Sequence, residues 1–234
     1  MKTKLVVLTG AGISAESGIK TFRDSDGLWE GYEVMTVASI EGWNKNPALV
    51  LDFYNQRRKQ LLTVNPNTAH LLLAELQDLF ELSIITQNVD DLHERAGSLN
   101  VIHLHGELRK CRSVVDQQKL YSRDSDIVLG DLCESGFQLR PHIVWFGEDV
   151  PLMNRAIELT AEADVFLIIG SSLQVYPAAG LMYYLKNNTP IYYIDPNPVI
   201  NYELKDHRQL HIIKASASLG MKLFQKELEK LKLL

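Results

Sequence analysis

Short β-branched apolar runs alternate with longer stretches of helical period along the chain. The runs Leu5-Val6-Val7-Leu8, Leu82-Ser83-Ile84-Ile85-Thr86, Val101-Ile102-His103-Leu104, Ile143-Val144-Trp145-Phe146, Asp164-Val165-Phe166-Leu167-Ile168-Ile169, Ile191-Tyr192-Tyr193-Ile194 and Leu210-His211-Ile212-Ile213 read as strands. Residues 36–62 and 67–81 read as helices, a further helix precedes Ile191, and a C-terminal helix begins near Leu219. Over residues 47–62 the apolar positions share one face, with Arg57, Arg58 and Lys59 among the polar ones. This alternation predicts an α/β fold, a Rossmann-like parallel sheet flanked by helices. Residues 107–140 are polar and irregular and predict a small inserted module. The division expected is one unit over 1–234, with the sheet part near 1–30, 82–106 and 142–234 and the small module near 31–81 and 107–141.

The 234 residues, 46% hydrophobic and 23% charged, suffice for one globular unit with a sizeable core. A net charge of −5 without a long basic run argues against a nucleic-acid partner. No apolar stretch approaches the ~18 residues of a membrane span, so no membrane partner is expected. The first strand begins too near residue 1 for a signal peptide to be expected. Cys111 and Cys133 do not make a disulfide framework, and a reducing, cytoplasmic setting is expected. The oligomeric state stays open, with a monomer favoured.

The first strand runs into Gly10-Ala11-Gly12-Ile13-Ser14-Ala15-Glu16. Gly10 and Gly12 suit a tight strand-to-helix turn in which main-chain amides and a helix N-terminus face a pyrophosphate. Ala15 takes the third place of G-x-G-x-x-G/A. The acidic residue that a dehydrogenase places ~20 positions on, after a second strand, is missing. Thr21-Phe22-Arg23-Asp24-Ser25-Asp26-Gly27-Leu28-Trp29 reads instead as a polar loop closed by aromatics, a cover over a ligand. Five later strand ends carry small or polar residues: Gln87-Asn88-Val89-Asp90, His105-Gly106-Glu107, Gly147-Glu148-Asp149, Gly170-Ser171-Ser172 and Asp195-Pro196-Asn197. Each alone suits a helix N-cap. Together they predict one ligand crevice at the carboxyl edge of the sheet.

These segments, in this order, resemble the signatures of the sirtuins, NAD-dependent protein lysine deacylases. The resemblance rests on Gly10-Ala11-Gly12-Ile13-Ser14 with Thr21-Phe22-Arg23 and Gly27-Leu28-Trp29, on Thr86-Gln87-Asn88-Val89-Asp90-Asp91-Leu92-His93 with Ala96-Gly97, and on Leu104-His105-Gly106. It continues through Leu139-Arg140-Pro141-His142-Ile143-Val144-Trp145-Phe146-Gly147-Glu148 and Gly170-Ser171-Ser172-Leu173-Gln174-Val175-Tyr176-Pro177, where Ser171 replaces the usual Thr. It implies NAD as cofactor, acylated lysine side chains of proteins as substrates, and release of nicotinamide and O-acyl-ADP-ribose.

By the same resemblance His105 is the base, with Asn88 as its catalytic neighbour. Ala11, Ile13, Asn88 and Asp90 would surround nicotinamide, and Arg23 and Gln87 would hold phosphates and ribose. Gly170, Ser171, Ser172 and Val175 would contact the adenosine half, with Asp195 and Asn197 where the family usually has Ile-Asn. Gly10, Gly12, Ser14, Glu16, Thr21, Phe22, Trp29 and Ala215 complete the implied cofactor set. Val144, Trp145, Phe146, Gly147 and Glu148 would line the acyl-lysine channel. His70, His93, His207 and His211 read as structural, and neither His103 nor His142 stands where the base is implied. The alternatives are NAD-dependent ADP-ribosyl transfer onto protein and a non-catalytic NAD or ADP-ribose module. Retained His105 and the Val144-Trp145-Phe146-Gly147 channel argue against the first, and the complete base and nicotinamide-site residues against the second.

Phe53-Tyr54-Asn55-Gln56-Arg57 adds a Tyr-x-x-Arg. Residues three apart share a helix face, and a phenol with a guanidinium suits a carboxylate. Sirtuins that remove succinyl or malonyl groups carry this pair here beside a small residue, which in this chain is Ala38. The resemblance thus implies a desuccinylase and demalonylase with weaker deacetylase activity.

No metal is expected. Most sirtuins hold a structural zinc through two Cys-x-x-Cys pairs in the insertion, but here Val114 stands three places after Cys111 and Gly136 three after Cys133. A closed tetrahedral site needs four ligands. Val114, Val115, Leu120, Ile127, Val128, Leu129 and Leu132 are expected to pack the insertion instead. Elemental analysis should find no stoichiometric zinc, and a chelator should leave the Tm unchanged. One zinc per chain would contradict this expectation.

Overall fold

The computed structural model describes residues 2–21, 28–29, 31–200, 202–205 and 207–230. Its strands are β1 (Lys4–Thr9), β2 (Leu28–Trp29), β3 (Tyr32–Glu33), β4 (Glu81–Thr86), β5 (Val101–His103), β6 (Gly106–Ser113), β7 (Leu120–Ser122), β8 (Leu139–Ile143), β9 (Val165–Ile169), β10 (Ile191–Ile194) and β11 (Leu210–Ile213). Its α-helices are α1 (Val34–Val37), α2 (Ile40–Lys45), α3 (Pro47–Thr63), α4 (Thr68–Glu75), α5 (Leu92–Arg95), α6 (Met153–Glu162), α7 (Tyr202–Lys205) and α8 (Ala217–Lys230).

Among the described residues six strands form one parallel sheet in the order β11–β10–β9–β1–β4–β5. Successive residues of a strand face opposite sides, so each apolar run feeds two cores. Leu5, Val7, Ile84, Leu167 and Ile169 pack with Leu73 of α4 and with Met221 and Phe224 of α8. Val6, Leu8, Ile85, Phe166 and Ile168 pack with Ala156 of α6 and Leu181. The α4 segment thus belongs to the main sheet and not to the small module its sequence position suggests.

Six of the seven apolar runs are the six parallel strands. The seventh is different: the strand ends at Ile143, and β8 pairs antiparallel with β6 in a separate three-stranded sheet, β7–β6–β8. Val144, Trp145 and Phe146 leave that ladder, and Phe146 N donates to Ala38 O (2.8 Å). The insertion is therefore part sheet and part irregular loop. Its strands carry Arg109, Lys110, Arg112 and Arg140, whose paired charges hide the strand period.

The predicted helix over 36–62 is three helices. Ser39 Oγ accepts from Gly42 N (2.9 Å) at the start of α2, and Asn46 Oδ1 accepts from Leu49 N (3.1 Å) at the start of α3, with Pro47 in the first turn. The stretch before β10 is a 3-10 helix, Ala178–Tyr184. Among the described residues no helix is long and apolar enough to cross a membrane.

Of the residues expected to pack the insertion only Ile127 is buried; Val114, Val115, Leu120, Val128, Leu129 and Leu132 are exposed. The small core is Leu51, Cys111, Ile127 and Leu139. Polar bonds anchor it to α3. Asn55 Nδ2 donates to Ile127 O (2.9 Å), and Ile127 N donates to Asn55 Oδ1 (2.9 Å). Arg58, placed among polar positions by its sequence, is buried: its Nε donates to Leu108 O and its Nη1 to Asn55 Oδ1, both at 2.8 Å. Asn55→Ala strands two buried main-chain groups, each worth ~1–3 kcal/mol. Denaturant unfolding should show a loss of about 2–4 kcal/mol, with residues 114–138 cleaved sooner by protease. A loss below about 0.5 kcal/mol would show that the anchor is dispensable.

Candidate active site

The turn after β1 crosses the end of β9 at close range. Gly10 N donates to Ile169 O (3.0 Å) and Gly12 N to Gly170 O (2.8 Å). A Cβ on Gly12 would lie 2.6 Å from Gly170 Cα, and Gly170 itself has φ +61°. The glycines thus serve a crossing of two main chains. The expected helix after them is absent: short 3-10 turns, Ala11–Ile13 and Ala15–Ser17, take its place. The turn therefore offers no α-helix N-terminus to a phosphate.

A cleft of about 470 Å³ opens on this seam. Its walls include Gly10, Ala11, Gly12, Glu16 and Thr21 from the turn, and Gln87, Asn88, Asp90 and His105 from the loops after β4 and β5. Gly170, Ser171, Ser172, Val175, Asp195 and Asn197 form the far end, and Ala38, Tyr54, Val144, Trp145, Phe146, Gly147 and Glu148 the near one. Four sequence-derived candidates are not on the wall: Ile13, Ser14, Ala215 and Arg57. Phe22 and Arg23 lie outside the described residues, and Trp29 pairs through its main chain with Tyr32 in the β2–β3 hairpin.

Ile13 is buried in the sheet core. Ser14 works one layer down, because its Oγ donates to Asp90 Oδ2 (2.9 Å) and accepts from Asn88 Nδ2 (3.1 Å). In place of Ala215 the wall has Ser216 and Ala217, drawn in by Glu16, whose carboxylate accepts from Ser218 N (2.8 Å) and Ser216 Oγ (3.2 Å). That carboxylate sits at the N-terminus of α8, where a negative charge is stabilised. The sequence reading also gave no role to Lys20, Val89 and Tyr176 at the wall, though Val89 and Tyr176 lie within quoted motifs and Lys20 adjoins one.

Beneath Asn88 the loop is bonded to the sheet ends. Thr9 Oγ1 donates to Thr86 Oγ1 (2.8 Å), Asn88 N donates to the same oxygen (3.0 Å), and His93 Nε2 lies 3.0 Å from Thr9 Oγ1. Burial pushes the Asp90 carboxyl up to about 6, with bonds from Ser14 and Leu92 N–H and the nearby His103 opposing the rise. His105 Nδ1 lies 3.0 Å from Gln87 O. Nδ1 is therefore the protonated nitrogen, and Nε2 is left as an acceptor. Burial holds the His105 pKa below its ordinary value, despite the Gln87 carbonyl, so the ring is neutral near pH 7.

At the near end Tyr54 is fully buried on α3, and Trp145 Nε1 donates to its hydroxyl oxygen (3.1 Å). Burial pushes its pKa up, so the phenol stays protonated. Arg57, one turn further on, is half-buried with its guanidinium 5.4 Å from the Phe53 ring centre. Glu148 reaches the wall but its oxygens are taken: they accept from Arg140 Nη1 (2.7 Å), Arg112 Nη2 (3.3 Å) and Trp145 N (2.8 Å). Arg140 stacks 3.3 Å from the Trp145 ring centre. Two buried guanidiniums against one carboxylate leave one positive charge in excess behind the wall.

The donor set fits a dinucleotide. Hydroxyl, amide and carboxylate groups of Gln87, Asn88, Ser171, Asp195 and Asn197 suit ribose hydroxyls and a carboxamide, beside the Gly10–Gly12 main chain, which has no large side chain. A parallel sheet whose carboxyl edge carries this cleft, with a neutral histidine facing it, suits a dinucleotide-dependent enzyme. The chain belongs to the Sir2 family, which it matches over residues 10–177. A Helicobacter pylori NAD-dependent protein deacylase is 62% identical over 192 residues, 82% of this chain and 84% of the relative. One from Bacteroides thetaiotaomicron is 52% identical over 223 residues, 93% and 94% of the two chains. The solved structure of a Sir2 homolog–NAD complex superposes with a TM-score of 0.86 at 40% identity, covering 98% of this chain and 90% of that one. A Sir2 bound to acetylated peptide does so with 0.79 at 30% identity, covering 100% and 95%.

His105→Ala should leave the fold and NAD binding in place and abolish deacylation. Turnover within a few-fold of wild type would put the base elsewhere. Because a lowered pKa keeps the ring neutral until the pH falls through it, the acid limb of kcat/KM should lie below pH ~6.5. An acid limb above that value would contradict the assignment.

Proposed function

We propose that this NAD-dependent protein deacylase acts preferentially on lysines whose acyl group ends in a carboxylate, succinyl or malonyl, and more weakly on acetyl-lysine. The observation that carries the preference is Tyr54, a buried, protonated phenol at the near end of the cleft whose oxygen accepts from Trp145 Nε1. Ala38 opposite leaves room, since its carbonyl pairs with Phe146 N and its side chain ends at Cβ. Arg57 stands one turn along the same helix. The excess charge of Arg112 and Arg140 behind Trp145 adds a positive field. A carboxylate must leave water to enter, and fixed donors and cations offset that cost.

NAD, when bound, supplies an electrophilic ribose carbon and the ADP-ribosyl acceptor for the acyl group. The residues proposed to hold it are the Gly10–Gly12 turn, Gln87, Asn88, Asp90, Ser171, Asp195 and Asn197. His105 is the proposed base: its Nε2 takes a proton from a hydroxyl presented at the cleft, while Nδ1 stays bonded to Gln87 O. Asn88 donates its remaining amide hydrogen toward the cleft, and Ser14 holds its orientation.

A charge-assisted hydrogen bond is worth ~1.5–3 kcal/mol, roughly 10- to 150-fold in efficiency. Arg57→Met should therefore depress kcat/KM on succinyl-lysine peptide by that factor and change the acetyl-lysine value by less than about threefold. Tyr54→Phe should give the same pattern with a smaller loss. Equal losses on both substrates would make Arg57 structural and refute the preference.

A further inference from the structure

β5 ends in His103, which is buried and off the cleft wall. Its Nδ1 lies 3.1 Å from Asn88 O, and its Nε2 lies 2.8 Å from Glu94 Oε1 on α5. A carbonyl oxygen only accepts, and so does an ionised carboxylate. Both ring nitrogens must then carry hydrogen, which makes the ring an imidazolium. Two residues on, His105 binds the preceding carbonyl, Gln87 O. Consecutive carbonyls of the loop that carries Asn88 and Asp90 are thus held by two histidines, one charged and one neutral.

We infer that His103, as a cation clamped between Glu94 and the Asn88 carbonyl, is a positioning residue that fixes the Gln87-to-Asp90 loop in its cleft-facing form. The inference rests on Asn88 standing at the cleft, not on the acyl preference. The groups facing His103 are Glu94 and the neutral His93 from α5, Asp90 from the loop, and Glu107 from β6, with Lys110 paired to Glu107 at 2.7 Å. Burial disfavours the charged ring, but Glu94, Glu107 and the Asn88 carbonyl outweigh it and raise its pKa above the ordinary value. Burial would likewise raise the Glu94 carboxyl, yet its bond to His103 holds it below its usual range. A raised pKa means that, wherever Glu94 is ionised, the clamp is intact below the raised value and is released as the pH rises through it.

Glu94→Gln tests this, because it removes the charge and keeps a carbonyl acceptor on a side chain that is 41% exposed. His103 should then lose its proton at lower pH, and the loop with it. The ratio of wild-type to variant kcat/KM for NAD should pass through a maximum of about fivefold or more between the pH at which the variant ring loses its proton and the pH at which the wild-type ring does. Independently of turnover, ring 15N–1H spectra of the unliganded protein should show both His103 nitrogens protonated at pH 7 in the wild type. In the variant that state should end at lower pH. Parallel pH profiles, a neutral wild-type ring at pH 7, or a lowered Tm with no change in profile would overturn the inference.

Discussion

Polar side chains buried at the carboxyl edge of an apolar sheet must find partners, and that constraint organises this protein. Thr9, Ser14, Thr86, Asn88, Asp90 and His93 are all buried there, on the end of β1, the turn after it, the end of β4, the loop beyond it and α5. Each is bonded to a residue of another of these segments or to the adjoining main chain. A half-satisfied network of this kind costs more than an apolar core, so the segments hold one arrangement or lose much of their stability. The cleft inherits its geometry from that arrangement.

Two kinds of charge are kept apart around the cleft. His105 is neutral and His103 charged, although they are two residues apart and bind adjacent carbonyls. The difference comes from Glu94, which faces one ring and not the other. At the opposite end Glu148 neutralises one of two buried arginines, and the Trp145 ring separates Arg140 from the cleft. The proposed proton transfer and the proposed anion recognition thus fall to different walls.

The parallel strands were legible because burial on both faces leaves an unbroken apolar run. The glycine turn, His105 and the loop after β4 were legible because their residue types recur as long motifs in one order. The insertion was not: Arg109, Arg112 and Arg140 make charged strands whose pairing is invisible until β6 and β8 meet. Arg58 was misread for the same reason, since its partner, Leu108 O, is far away in sequence. Ser39 and Asn46 are ordinary helix caps, but inside an apolar period they did not stand out as breaks. Ser216 and Ala217 stand at the wall instead of Ala215, and Ser216 bonds to Glu16, 200 residues away in sequence.

The most direct measurement is a panel of one peptide carrying acetyl-, malonyl- or succinyl-lysine, mixed with NAD and followed by mass spectrometry. The account predicts one nicotinamide released for each lysine freed, O-acyl-ADP-ribose as co-product, and kcat/KM higher for the malonyl and succinyl peptides than for the acetyl one. An acetyl value equal to or above the others would contradict the role given to Tyr54 and the charges behind Trp145. Nicotinamide release without matching loss of the acyl group would contradict the reading of the cleft itself.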